Sequence, residues 1–129
     1  MSRKPPIEQL KDRIGEKISQ FFVEHWIADG NQNTPIISVS LVFDEGQSFI
    51  LGCAGDGSVF VRKGQPAPIP NETELRSHQA IVGSTLNSVT VEETEIEFTT
   101  SSGSLVVANV CDEIEIRQRA GDQDRAIAP

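Results

Sequence analysis

Apolar residues recur at spacings of three and four near the start of the chain: Ile7, Leu10, Ile14, Ile18, Phe21, Phe22 and Trp26. That is the period of an amphipathic helix, and Pro5 and Pro6 suit a first turn. Taken alone, the stretch reads as one helix over about 6–28. A second pattern competes with it. The run Ile14-Gly15-Glu16-Lys17-Ile18-Ser19-Gln20-Phe21-Phe22-Val23-Glu24 matches Val82-Gly83-Ser84-Thr85-Leu86-Asn87-Ser88-Val89-Thr90-Val91-Glu92 at a constant offset of 68. The later copy is rich in β-branched residues and reads as a strand. A repeat has to be recognised before local assignments are made, so the earlier copy is read as a strand too. The match stops upstream, where the counterpart of Leu10 is His78.

The copies continue in parallel at a smaller offset. Leu41-Val42-Phe43, a turn at Gly46 and Phe49-Ile50-Leu51 resemble Ile96-Glu97-Phe98, a turn at Gly103 and Leu105-Val106-Val107. The pattern predicts a helix over 6–14 ending near Gly15, then strands over 17–27, 35–43, 47–53 and 57–62. A second short helix over 72–81 follows, capped by Asn71 or Thr73, then strands over 84–92, 94–100, 104–110 and 113–118. The expected fold is mainly β (α+β): two copies of an antiparallel strand motif, each preceded by a short helix, forming a small barrel or sandwich. The repeats span 7–63 and 72–118 of a single domain. A proline-rich connector covers 64–71, a polar, frayed tail covers 119–129, and a longer loop covers 29–34. Neither copy can bury its apolar face alone, so the two close a shared core. Strands 94–100 and 113–118 alternate, with Ile96, Phe98, Ile114 and Ile116 inward and Glu95, Glu97, Glu113 and Glu115 outward.

A chain of 129 residues is the size of one domain. Its net charge is −8, and residues 64–129 carry four Lys/Arg against eleven Asp/Glu. No basic residue falls between Arg76 and Arg117, where seven acidic ones do. This balance disfavours nucleic acid and anionic membranes and suits a basic protein partner. No apolar run approaches the roughly 18 residues of a membrane span, and no apolar segment follows Arg3 and Lys4, so a cytoplasmic protein is expected. Cys53 and Cys111 lack metal-type spacing and are read as free thiols.

Little in the chain suggests catalysis. The glycine-rich Gly52–Ser58 stretch lacks the Lys-Ser/Thr of a phosphate loop and is a hairpin turn at Asp56-Gly57. His25 and His78 have no partner at metal-ligand spacing. The carboxylates Glu92, Glu93, Glu95 and Glu97 match no EF-hand, and alternate strand positions stand roughly 7 Å apart, wide for one ion. No catalytic residue, metal site or cofactor is expected. Trp26 has two readings: the apolar series it closes makes it core, whereas the adjacent loop makes it an interface aromatic. The candidate partner-binding residues are therefore Glu95, Glu97, Glu113, Glu115 and Trp26.

The pattern Leu10-x3-Ile14-Gly15-x2-Ile18, followed by a strand ending in Phe43-Asp44-Glu45-Gly46, resembles a motif of small, largely uncharacterised bacterial proteins. Some of these are similar to immunity proteins that neutralise polymorphic toxins. The resemblance covers about the first 60 residues and recurs in weaker form from Leu75, with Ser101-Ser102-Gly103 replacing the Asp-Glu-Gly turn. It implies a binding protein without catalysis, often acidic when its target is a basic nuclease. The alternative class is a small-molecule or lipid-binding β-barrel with its ligand between the two repeats. The oligomeric state is left open.

Overall fold

The computed structural model describes residues 4–27, 35–120 and 123–126. Among these residues one short helix, α1 (Pro6–Lys11), precedes ten strands. The first five are β1 (Ile18–Trp26), β2 (Ile36–Phe43), β3 (Ser48–Cys53), β4 (Val59–Lys63) and β5 (Thr73–His78). The second five are β6 (Leu86–Val91), β7 (Glu95–Thr100), β8 (Gly103–Val110), β9 (Glu113–Ala120) and β10 (Gln123–Ala126). The protein is mainly β, and its strands pair antiparallel in one curled sheet. Strands β1 to β4 form a meander with β5 returning beside β1, and β6 to β10 form a second meander.

Residues 18–26 are strand, so the repeat and not the helical period governs this segment. The misleading period has a structural cause. Ile18 opposes Phe43 and Gln20 opposes Val42, which leaves Ser19 as an extra, bulged residue. A bulge resets the alternation by one. Ile18 and Phe21 therefore both point to the core at a spacing of three, before Val23 and His25 resume a spacing of two. In β6, Leu86 opposes Thr100 and Ser88 opposes Thr99, so Asn87 is the bulge. Ser19 and Asn87 are 68 residues apart, as in the sequence match.

The junction between the two halves follows the same offset. The Gly15 N–H donates to the Leu86 carbonyl and the Gly83 N–H to the Ile18 carbonyl, both at 2.8 Å. Ile18 N–H donates to Ser84 and Leu86 N–H to Glu16, both at 2.9 Å. Each bond maps onto its partner when 68 is added or subtracted. The bridge Lys17–Thr85 lies at the centre of the exchange. Gly15 and Gly83 both hold positive φ, +97° and +88°, which a residue with a Cβ adopts only at a cost. At the other end, Ile36 of β2 pairs with Ile114 of β9.

Side chains from both meanders fill the space between them. Phe21, Val39, Leu41, Phe43, Phe49 and Leu51 meet Leu86, Ile96, Phe98, Leu105, Val107 and Ile116, with Leu10 from α1 added. Burial of this apolar surface is the main force holding the fold.

Three expectations are corrected. The second helix, expected over 72–81, is strand β5, because Thr73–His78 pairs with the edge of β1 from Trp26 to Phe21. Pairing along an available edge outweighs the weak helical preference of six residues. The tail, expected to fray from 119, instead extends β9 to Ala120 and adds β10, registered from Gln123↔Ala120 to Ala126↔Arg117. Trp26 is not core, as described below. The loop expected over 29–34 lies outside the described residues. No helix among the described residues is long and apolar enough to cross a membrane.

Candidate binding groove and acidic face

The outer face of the first meander holds a groove of about 600 Å³. Strand alternation supplies its walls. Outward positions of β1 give Glu24 and Trp26, those of β3 and β4 give Ile50, Phe60 and Arg62, and the connector adds Ala67 and Ile69. Ile37 enters through a second bulge: Glu24 opposes Ser38 but His25 opposes Ile36, so Ile37 is the extra residue and is re-aimed. Trp26 is 46 % exposed and Phe60 40 %. The core reading of Trp26 fails because His25, one position earlier, takes the inward place at the end of β1 and is buried.

One end of the groove belongs to the second meander. Asp112 and Glu113 line it, next to Cys53. Their position is set by the buried side chain of Asn109 at the end of β8. Its amide donates to the carbonyls of Ala54 at 3.3 Å and Ser58 at 2.9 Å, in the β3–β4 turn. Its oxygen accepts the Asp112 N–H at 3.0 Å. Cys111 and Asp112 both hold positive φ, +53° and +66°, the pattern of a tight type I′ hairpin turn. The β3–β4 turn is itself held by Asp56, which accepts from the Ser58 N–H and hydroxyl. These bonds hold the Asp56 carboxyl below the usual carboxylate range.

The groove is apolar-walled and acidic. Glu24, Asp112 and Glu113 face one guanidinium, Arg62. The Cys53 thiol responds to this setting: burial pushes its pKa up, and the negative fields of Asp112 and Glu113 add to the shift. That is the reverse of what activates a nucleophilic thiol. Cys53 and Cys111 are both free, the latter exposed. His25 is buried on the inner side of β1, and His78 packs on Phe21 with ring centroids 5.9 Å apart. Among the described residues no group of three His, Cys, Asp or Glu is placed to hold a metal ion.

The four expected outward carboxylates occupy the outer face of the second meander. Register puts Glu95 opposite Ala108 and Ala108 opposite Glu115, and Glu97 opposite Val106 and Val106 opposite Arg117. The gap in basic residues between Arg76 and Arg117 does not leave them unpaired. Arg117 alternates onto the same face and reaches Glu95 at 3.4 Å and Glu115 at 3.9 Å. Glu113 opposes Val110 at the end of this face and also lines the groove, so it joins the two surfaces. Trp26 and Glu113 thus share the groove, whereas Glu95, Glu97 and Glu115 stand apart from it on β7 and β9. Sequence reasoning missed Phe60, Glu24, Ile37 and Asp112. Outward alternation signals Phe60 and Glu24, but no sequence signal marked the bulge at Ile37 or the left-handed turn at Asp112.

Comparison with protein-family models, with curated proteins and with solved structures finds no match to the chain.

Proposed function

We propose that the protein is a non-catalytic binding module for a basic protein partner, of the kind that immunity proteins exemplify, acting in the cytoplasm. The observation that carries this reading is the groove: an exposed Trp26 and Phe60 flanked by three carboxylates and one arginine. Tryptophan is enriched at the energetic centres of interfaces. A cationic side chain entering the groove would meet both carboxylates and aromatic faces, and each attracts it. The overall charge of −8 steers a basic partner towards the surface. Glu113 continues the negative surface from the groove onto β9.

A second reading is a small-molecule or lipid-binding protein. The groove volume of about 600 Å³ favours it, since ligand sites commonly measure roughly 300–1,000 Å³. In that case the ligand lies outside the sheet, because Phe21, Phe43, Phe49 and Phe98 fill the space between the meanders.

The test uses Trp26, the sole tryptophan, as its own reporter. A candidate basic toxin is titrated against the protein at low and high salt. Binding should perturb the Trp26 emission. Association should slow as salt shortens the Debye length to ~8 Å near physiological ionic strength. Trp26→Ala should speed dissociation, and Glu113→Lys should slow association. Binding indifferent to salt and to both substitutions would remove the basic-partner reading. Binding of a neutral lipid or apolar dye that Trp26→Ala abolishes, with no response to any basic protein, would establish the second.

A further inference from the structure

The two meanders treat equivalent strand edges differently. On β1, Ile27 N–H donates to Glu72 at 2.9 Å, and that bond fixes the alternation along the edge. The backbone groups of His25, Val23 and Phe21 therefore turn towards β5, opposite Glu74, Arg76 and His78. Adding 68 to Phe21 and Val23 gives Val89 and Val91 on β6. There, Glu92 N–H donates to Glu95 at 2.8 Å, so Thr90 and Ser88 are the residues bonded to β7. The backbone groups of Val89 and Val91 point the opposite way, off the sheet. Among the described residues β6 pairs along its length with β7 alone. Among the described residues, the position that β5 fills beside β1 has no counterpart beside β6.

The composition of β6 reinforces the contrast. Edge strands are usually guarded by charge, proline or a covering element. The edge strand β4 carries Arg62 and Lys63, and β5 carries the Glu74–Arg76 ion pair at 2.6 Å. Strand β6 reads Leu86-Asn87-Ser88-Val89-Thr90-Val91, with no charge, proline or glycine, and Val91 is 48 % exposed. The edge is already used where it begins, since Glu16 and Ile18 bond to Leu86 and Ser84 before Gly15 turns the chain away.

We infer that the open edge of β6 receives an extended segment of the basic partner, which adds as an antiparallel strand in the place that β5 occupies beside β1. This inference rests on the basic-partner reading and names the segment recognised. Backbone bonds to Val89 and Val91 supply affinity, as in other strand-addition complexes. The side chains give the selectivity. Val89 and Val91 share the inner side with Phe98 and Ile96, so alternate residues of the incoming segment are apolar. Thr90 shares the outer side with Glu97, and Glu92 and Glu93 follow at the end of the strand. Because the segment runs antiparallel, its first half meets these carboxylates, and its outward residues there are Lys or Arg. Lys17 stands near the opposite end, where a cationic residue is disfavoured.

The probe is a seven-residue peptide that alternates Val with Lys in its first half and with Thr in its second. It is titrated into isotope-labelled protein and read by backbone amide shifts and hydrogen exchange. The expected result is slowed exchange at Val89 and Val91 and at least a tenfold loss of affinity in Val91→Pro. Proline is tolerated where an edge N–H faces solvent, and circular dichroism confirms that the variant is folded. N-methylation of the peptide at alternate residues should abolish binding with the protein unchanged. Shifts confined to the Trp26 groove, with Val91→Pro indifferent, would overturn the edge assignment and leave the basic-partner reading intact. Equal binding of a peptide with Gln for Lys would overturn the basic character of the segment. Self-association removed by Val91→Pro would assign the edge to a second copy of the chain instead.

Discussion

Gly52 and Phe60 are direct cross-strand partners, and the ring of one occupies the space where the other lacks a side chain. A Cβ placed on Gly52 would lie 2.6 Å from Phe60 Cζ and 2.8 Å from Cε2. The glycine therefore lets the ring cover the strand and form a groove wall. Gly52→Ala is expected to swing Phe60 outward, since the ring is partly exposed and can move. The cost should be modest, on the order of 1 kcal/mol in chemical denaturation, as for mild overpacking. Partner binding through the groove should weaken by more than stability does. An unchanged complex would mean that Phe60 contributes nothing to the wall.

Asn109 spans the two meanders with one side chain, and it is buried. Asn109→Ala removes the link between the meanders: the Ala54 and Ser58 carbonyls keep only the Gly57 and Ala54 N–H groups, and the Asp112 N–H loses its acceptor. Losing a hydrogen bond of this kind costs about 0.5–1.5 kcal/mol net, so urea denaturation should show a loss in that range. Asn109→Asp should be similarly harmful, because a carboxylate cannot donate to the two carbonyls. A loss below about 0.5 kcal/mol would show that water replaces the amide fully.

The strands were legible because the sequence states them twice. The run after Gly83 has little helical character, and the offset transferred its reading to the ambiguous run after Gly15. What remained hidden shares one feature: it depends on residues distant in sequence. Thr73–His78 is a strand because an edge of β1, some fifty residues earlier, awaits a partner. Gln123–Ala126 is a strand because β9 offers another. Arg117 neutralises Glu95 through a register that no local pattern gives. The groove draws Glu24, Phe60 and Glu113 from three separate strands, so only alternation, not motif, could have marked its members. Trp26 had two readings, and the choice turned on a bulge that places His25 inward.

The two thiols should differ sharply in the native state. Cys111 is exposed and Cys53 is half-buried with its pKa pushed up by burial, then by Asp112 and Glu113. A thiol reagent at neutral pH should modify Cys111 first and Cys53 much more slowly, since only the thiolate reacts. Both should react at once in denaturant without prior reduction. Asp112→Asn should speed the Cys53 reaction. Peptide mapping after timed quenching reads each site, and equal native rates would contradict the electrostatic account.

His78 links stability to pH. Burial, and then the nearby Arg76 charge, lower its pKa below the ordinary histidine value of about 6.5. The unfolded chain therefore binds its proton first as pH falls. The stabilising contribution is complete above about pH 6.5 and is lost as pH drops through the lower, folded-state value. Thermal melts from pH 8 to 5 should show this decline, and His78→Gln should flatten it. A decline of the same size in the variant would assign the effect to other groups.

The reciprocal bonds between Gly15 and Leu86, and between Gly83 and Ile18, also order events in time. Each hairpin joins residues a short distance apart along the chain and closes quickly. The junction ties points about 68 residues apart, and the entropy of closing a loop grows with its length. Assembly speed is therefore governed where the halves clasp and not within either meander. Gly83→Ala strains a left-handed position at a cost of roughly 1–2 kcal/mol. Stopped-flow chevrons should show that cost mainly as slower folding, with the unfolding arm little moved. The protein behaves, in this sense, as two quick halves and one slow handshake.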